Sequence, residues 1–582
     1  MLKIFCSTAM LLVCIQVLSA QWYDQIWTFG YNDTWEQEGP ESINLNFDTF
    51  PPRIEEAERS LYFLNGYSNI CDATGRDLFT SNNCQITNKH SEIIINGDSL
   101  MQDWELDWCE NYAYHPSAFY SMFLPRPDAP DEMIYFNKST LYSTSPTLMI
   151  YTKNFKYSTI KILDDGDNGE ITLKNQELIS DRLGYGQLTA VKHGNGRDWW
   201  LPVPVEIGNK IYMVLLGKDT VYVHHTQNLG PEWGEDGGFQ ANFSLDGSKY
   251  LRYNRFQGVY LYDFDRCDGT LSNLLHFEFN DTTQGIFGGC ALSPNNRWMY
   301  LADFDYLYQF DLEAADVAAS RQLIAVWDGV SNLLPTKFSY IIFGPDGRLY
   351  VFPPTTTRNL HVINRPDLPG AACDFRQRAL EFPYHYQNTP AFPNFRLGPL
   401  DGSGCDTLGI DNLPLAGFRP EASDTNSLTW HFWDISSYQP TQWHWDFGDG
   451  SAASQEISPT HQFPAPGLYT VCLTVSNAYG ADSHCKVVEV KTVGAGEAIT
   501  QPAGYQIYPN PTATSFTLRK TSGFFTGSEP VVMYNSTGQV LATRQPARGE
   551  TSLVFGVESY PPGVYWLRVE GVVMKVLRMA GF

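Results

Sequence analysis

Phe243-Ser-Leu-Asp-Gly247, Leu292-Ser-Pro-Asn-Asn296 and Phe343-Gly-Pro-Asp-Gly347 are three versions of one turn, and a fourth stands at Asn195-Gly196. Counted on Asn195, Asp246, Asn295 and Asp346, they recur at intervals of 51, 49 and 51 residues. Each leads into an aromatic or apolar run: Trp199-Trp-Leu201, Tyr250-Leu-Arg-Tyr253, Trp298-Met-Tyr-Leu301 and Leu349-Tyr-Val-Phe352. A second run follows two of them, at Gly258-Val-Tyr-Leu-Tyr-Asp263 and Asp305-Tyr-Leu-Tyr-Gln-Phe-Asp311. Several short strands per fixed period of this length is the pattern of propeller blades, small sheets that bury their faces only by packing on neighbours. Upstream, Ser60-Leu-Tyr-Phe-Leu64, Glu92-Ile-Ile-Ile95, Thr147-Leu-Met-Ile-Tyr-Thr152 and Tyr157-Ser-Thr-Ile-Lys-Ile162 supply further candidate strands. Residues 21–411 divided by the period give about seven blades, with six or eight as alternatives. A pair of sandwiches would not require the beat.

Composition agrees with an all-β chain. Aromatic residues make up 14% of the 582, and turn formers are abundant. The formal charge of −25 disfavours nucleic acid and anionic lipid as partners. Lys3, the apolar stretch from Ile4 to Leu18 and small Ser19-Ala20 before Gln21 form the pattern of a cleaved secretory signal, residues 1–20. No other segment is a candidate membrane span. Nine cysteines remain after that signal, so an oxidising compartment predicts pairing with at least one left over.

The repeats stop near Cys405-Asp-Thr-Leu-Gly-Ile-Asp411. Beyond it, Trp443-His-Trp-Asp-Phe-Gly-Asp-Gly450 is followed by Ser458-Pro-Thr-His-Gln-Phe463 and Pro466-Gly-Leu-Tyr-Thr-Val-Cys-Leu-Thr-Val-Ser-Asn477. This resembles the PKD domain, which implies a seven-stranded immunoglobulin-like sandwich over 412–491. Trp445 and Phe447 alternate inward and Gly448-Asp449-Gly450 turns the chain, so the motif reads as structural rather than catalytic. Cys472 and Cys485 are symmetric about the turn at Ala478-Tyr479, which places them opposite one another and predicts a disulfide. Residues 492–504, rich in Gly, Ala and Thr, read as a linker open to a sorting protease.

The chain ends on Tyr508-Pro-Asn-Pro511, Ser515-Phe-Thr-Leu-Arg519, Val531-Val-Met-Tyr-Asn535 and Pro562-Gly-Val-Tyr-Trp-Leu-Arg-Val569, each run alternating and closed by turn residues. This resembles the type A C-terminal sorting domain of the type IX secretion system of Bacteroidota, over 505–582. Tyr508, Pro509, Asn510, Pro511, Gly563 and Tyr565 carry the match. It implies export through the periplasm to the outer-membrane surface or medium, with the secretion machinery and its protease as partners. As a whole, the chain looks like secreted Bacteroidota proteins that join a propeller, a PKD module and a sorting domain. His193-Gly-Asn-Gly-Arg-Asp-Trp-Trp200 and the Cys405–Asn412 junction contribute to that likeness. It implies no activity.

Catalytic spacings are missing from the sequence: there is no His-Glu-x-x-His, Gly-x-Ser-x-Gly, Gly-x-x-x-x-Gly-Lys or Cys-x-x-Cys. Asp164-Asp165-Gly166-Asp167 lacks calcium-loop spacing and reads as a hairpin turn. Pro231-Glu-Trp-Gly-Glu-Asp-Gly-Gly238 is either a solvated turn or a mouth loop with Trp233 as a stacking platform. His193 to Trp200 reads as a turn pinned by Arg197 and Asp198. No catalytic residue, metal ligand or cofactor is assigned. The leading expectation is a noncatalytic surface or secreted protein whose propeller binds a glycan or protein, the PKD module serving as spacer or auxiliary binder. A secreted polysaccharide- or peptide-degrading enzyme with a dispersed propeller site is the alternative, and a structural surface or gliding component a third reading.

Overall fold

The structure, a computed structural model, describes residues 21–578 except 31–41, 58–60, 62–66, 102–103, 113–120, 144–148, 165, 185, 187, 235–239, 255, 280–287, 333, 387–388, 424–427, 492–503, 509–511, 513, 522, 528, 536–538, 562 and 571. Seven antiparallel sheets of three or four strands follow one another at 26–57, 68–88, 121–183, 191–233, 240–277, 289–326 and 341–386. In each, strands pair in sequence order, which short turns enforce. The inner strands have both faces covered and read as unbroken apolar runs. All six residues of Trp298–Asp303 are buried, as are all but the first of Lys249–Asn254.

The packing between sheets shows a closed ring. One buried cluster joins the second, third and fourth sheets through Phe79, Phe123, Phe136 and Trp199. Further clusters join the fourth to the fifth, the fifth to the sixth and the sixth to the seventh. Trp27, Phe29 and Leu45 of the first sheet then pack on Tyr350, Phe352 and Phe382 of the seventh. The first also meets the second, where Asn69 Nδ2 donates to the Ile26 carbonyl at 2.8 Å. The seven sheets therefore form a seven-bladed β-propeller.

Three sequence expectations need correction. Glu92-Ile-Ile-Ile95 is not a strand; Ile93 and Ile95 make isolated bridges, with Ile95 pairing to Glu170. Thr147 to Thr152 and Tyr157 to Ile162 are not two strands: a single strand runs Met149–Ile162 and pairs with the long Gly169–Leu183. Its length exceeds a blade, so two runs looked separable where one hairpin extends outward. The ring ends at Tyr386, well before Cys405, and the chain from there to the sandwich crosses one face of the propeller. The candidate strand at Ser60 to Leu64 lies, apart from Leu61, outside the described residues.

The sandwich after it packs Phe418–Ala422, Thr429–Asp434 and Thr460–Gln462 against Gln442–Asp446, Gly467–Ser476 and Ala481–Val490. That is six strands among the described residues, where the resemblance implied seven. Its core centres on Trp445 and Phe432. The C-terminal sandwich pairs a three-stranded sheet (Tyr505–Tyr508, Ser515–Lys520, Ser552–Gly556) with a four-stranded one built on Val531–Tyr534 and Gly563–Val569.

Candidate functional site

The repeated turns all use a left-handed residue: φ is +75° at Gly196, +71° at Gly247, +59° at Asn296 and +80° at Gly347. At three of them the missing Cβ is a contact surface. A Cβ on Gly196 would stand 2.7 Å from Pro399, on Gly247 2.9 Å from Leu397, and on Gly347 2.7 Å from Ile435 of the sandwich. Glycine is thus required twice over, for its conformation and for close approach. Three of the four signature turns thus form the surface met by residues 397–399 and by Ile435 of the sandwich.

Residues 389–400 form a strap across this face. Phe395 is fully buried against Tyr23 and Trp199, with ring centroids at 5.2 and 5.7 Å. Arg396 holds Asp24 through bonds of 2.5 and 2.8 Å, Asn394 Nδ2 donates to the Leu245 carbonyl at 2.8 Å, and Leu400 N to Gly194 O at 2.8 Å. A disulfide, Cys267–Cys405, fastens the end of the strap to the fifth blade.

The sandwich is seated beside the strap. Arg365 of the seventh blade bonds Glu421 at 3.3 Å, Arg419 donates to the Asn364 carbonyl at 3.0 Å, and their guanidiniums lie 5.6 and 5.4 Å from the Trp433 ring. Between blades five to seven, the strap and residues 433–439 is a cleft of about 860 Å³. That volume suits a ligand the size of a short oligosaccharide or peptide.

The cleft has a mixed apolar and charged lining. Its walls alternate apolar groups (Leu245, Pro294, Pro345, Leu400, Ile435) with Asp, Arg, Ser and Asn, and include no His, Cys or Lys among the described residues. Asp434 is half-buried, and desolvation pushes its carboxyl up, while it accepts from Trp443 Nε1 at 2.9 Å and Ser436 Oγ at 2.5 Å. Burial likewise raises Asp367, whose oxygen accepts from Asn295 N at 2.9 Å. At the exposed Asp246, donors from Ser244, Ser248 and Asn296 outweigh partial desolvation and hold the carboxyl low. Arg266 spends its donors on the carbonyls of Lys192, His193 and Gly398, and burial pulls it to about 10. Within this one cleft the carboxyls of Asp434 and Asp367 are thus raised while that of Asp246 is held low.

The residues singled out from sequence fall mostly in cores and turns. Trp233 is not a stacking platform: it is 2% exposed, its Nε1 donates to the Val205 carbonyl, and the Arg252 guanidinium covers its ring at 4.3 Å. An aromatic in a glycine-rich, acidic loop looked exposed because its cover comes from the next blade. Glu235 and Asp236 of that loop lie outside the described residues. Arg197 Nε donates to Asp198 at 2.8 Å and Trp199 and Trp200 are buried, so the string from His193 is a pinned turn. Asp167 pairs with Lys89 at 2.6 Å beside a left-handed Gly166.

In the sandwich, Trp445 and Phe447 are core residues, Gly448 and Gly450 are left-handed, and Asp449 accepts from Ser451 and lies 2.8 Å from His461 Nε2. Cys472 and Cys485 face each other across paired strands and are joined. Cys84–Cys109 is a third disulfide, and Cys71, Cys290 and Cys373 are buried and lie outside the three bridges. Near the C-terminus Tyr508 ends a strand, Gly563 starts one and Tyr565 is buried, its hydroxyl donating to the Pro561 carbonyl; 509–511 lie outside the described residues. Sequence reasoning missed the strap and the cleft. Among the described residues no helix is long and apolar enough to cross a membrane, and no metal-binding group of three or more His, Cys, Asp or Glu occurs.

Comparison with known proteins divides along the same lines. A microbial collagenase of Vibrio alginolyticus is 30% identical over 109 residues, 19% of this chain and 12% of that protein. The chain thus spans only about an eighth of the curated relative it matches. The PKD1 domain of Vibrio cholerae metalloprotease PrtV is 31% identical and covers 14% of this chain and 99% of that one, with a TM-score of 0.13. A β-propeller domain, Cps50 (Swd1) of Myceliophteria thermophila, is 10% identical and covers 53% and 85%, with a TM-score of 0.31. The propeller itself stands on the sheet order and ring packing above. Residues 414–492 match the family described as PKD domain, and 506–578 the secretion system C-terminal sorting domain: the chain is a β-propeller protein carrying a PKD domain and a sorting domain for export.

Proposed function

We propose that the protein is a noncatalytic binder exported by the type IX route of a Bacteroidota cell. On this reading residues 1–20 are removed as a signal, 21–411 form the recognition unit, the PKD domain over 412–491 completes its cleft, and 505–582 address the chain to the secretion machinery and its sorting protease across 492–504. The product is released or held on the outer-membrane surface. The ligand is a glycan or a surface protein. The observation that carries the reading is the cleft of about 860 Å³, in which the PKD domain acts as a wall rather than a spacer. Its apolar patches and fixed dipoles suit a neutral polar ligand.

The test is retention of the exported protein on glycan and surface-protein arrays, with product analysis of the same incubations. Ser437→Trp, which fills the cleft from its wall, is expected to abolish saturable retention. Product formation lost on changing one carboxylate would replace the reading with that of an enzyme.

A further inference from the structure

The outer strand of the fourth blade, Val221–Trp233, carries an extra residue. Val223 pairs with Val214 and His225 with Met213, so the intervening His224 has no counterpart on Gly208–Leu216 and the strand bulges there. A regular strand sends neighbouring side chains to opposite faces, whereas a bulge re-aims one of them. Both imidazoles accordingly reach the same ring, Trp200, at centroid distances of 5.1 and 6.4 Å. Tyr222 flanks them on that face, 6.0 Å from His224.

Two ring nitrogens are thereby brought together. His224 Nδ1 and His225 Nδ1 stand 2.9 Å apart, and neither has another hydrogen-bond partner among the described residues. Two neutral rings share a single proton across such a contact. His224 is exposed and His225 half-buried, so ions reach the pair from solvent. The surroundings are acidic: the turn Asp265-Arg-Cys-Asp-Gly269 of the fifth blade closes on Trp200 and on Met213, the partner of His225, at distances of 3.0 and 3.1 Å for a Cβ placed on Gly269. Asp265 and Asp268 of that turn are exposed, which favours cations nearby. Neither histidine lines the cleft, so this place stands independently of it.

We propose that His224 and His225 form a binding site for a divalent transition-metal ion of the copper(II) or nickel(II) class, which takes the place of the shared proton. With imidazole nitrogens at about 2.0–2.1 Å from the ion, two donors 2.9 Å apart subtend about 90° at the metal. A right angle is that of neighbouring positions in a square-planar or tetragonal site, which these ions prefer, and is narrower than the tetrahedral angle of zinc. Water fills the remaining positions. Binding releases the shared proton, so affinity falls as pH drops and both rings become charged.

The test is titration of the full exported protein with copper(II) chloride, read by electron paramagnetic resonance and by melting temperature. The wild type is expected to give a tetragonal copper signal split by two nitrogen donors. His224→Gln and His225→Gln should each remove one donor and weaken binding by about tenfold or more, and the double variant should lose this ion altogether. Without metal, His224→Gln should melt with the wild type, since its ring is exposed; with copper, only the wild type should gain stability, as mass action requires. A wild-type spectrum showing fewer than two nitrogen donors overturns the inference. So does a folded double variant that takes up the same number of ions with the same spectrum. If His225→Gln does not fold, the wild-type spectrum and His224→Gln decide the matter.

Discussion

Arg396 and Asp24 meet through two bonds of 2.5 and 2.8 Å, with side chains only 10% and 8% exposed, and so tie residues that precede the first blade to a strap that follows the last. A ring of sheets with free ends could open like a clasp. Here the two ends are fastened to each other across one face, and the PKD domain is fastened to the same face.

Arg396→Ala removes one partner of a buried pair and leaves the Asp24 carboxylate uncompensated. The expected loss is about 3–5 kcal/mol, read by denaturant unfolding of the exported protein. The double variant Arg396→Met, Asp24→Leu should lose far less, because no buried charge is stranded.

Phe395→Ala in the strap empties a fully buried site between Tyr23 and Trp199 and is expected to cost about 3–5 kcal/mol. Trp445→Ala should do the same in the PKD core. If the two units unfold separately, the calorimetric transition that moves will identify which belongs to which variant.

The recurring turn and its aromatic runs make the ring legible in the amino-acid sequence, since each blade must repeat the same turn and the same buried strand. The PKD turn at Trp445 to Gly450 is equally legible, because local geometry dictates it. The strap is not. Residues 389–400 have neither alternation nor period; their partners are Asp24, Gly194 and Leu245, so only the closed ring brings them together. The cleft is hidden for the same reason, its walls coming from separate parts of the chain. Trp233 misleads because exposure in a loop is set by the neighbouring blade, here by Arg252.

Cys267–Cys405 closes a loop with a sequence separation of 138 and anchors the strap. Replacing both with serine is expected to lower stability by about 2–4 kcal/mol. Cys472→Ala with Cys485→Ala, whose loop spans only 13, should cost less and affect the PKD transition alone. Non-reducing peptide maps of the exported protein should show both bridges.

Glu570 gives the sorting domain a defined acid limit. Hydrogen bonds from Lys520 Nζ at 2.6 Å and Tyr505 hydroxyl at 2.5 Å hold its carboxyl down to about 2 from an ordinary 4.5. Because the folded value lies below the unfolded one, the stabilisation is present above the ordinary value and is lost as pH falls through the folded value. The melting temperature of the sorting domain should therefore drop between pH 4.5 and about 2, and Glu570→Gln should be less stable at neutral pH and flatter across that window. Partial exposure of the cluster keeps the effect modest.

Hydrogen exchange of the exported protein, with and without the glycan or protein retained on the arrays, tests the binding account most directly. The account predicts that ligand protects amides of 364–368 in the seventh blade and 434–439 in the PKD domain together, at the same ligand concentration, with no product formed. Protection confined to the opposite mouth of the propeller, or conversion of the ligand during the incubation, would contradict it.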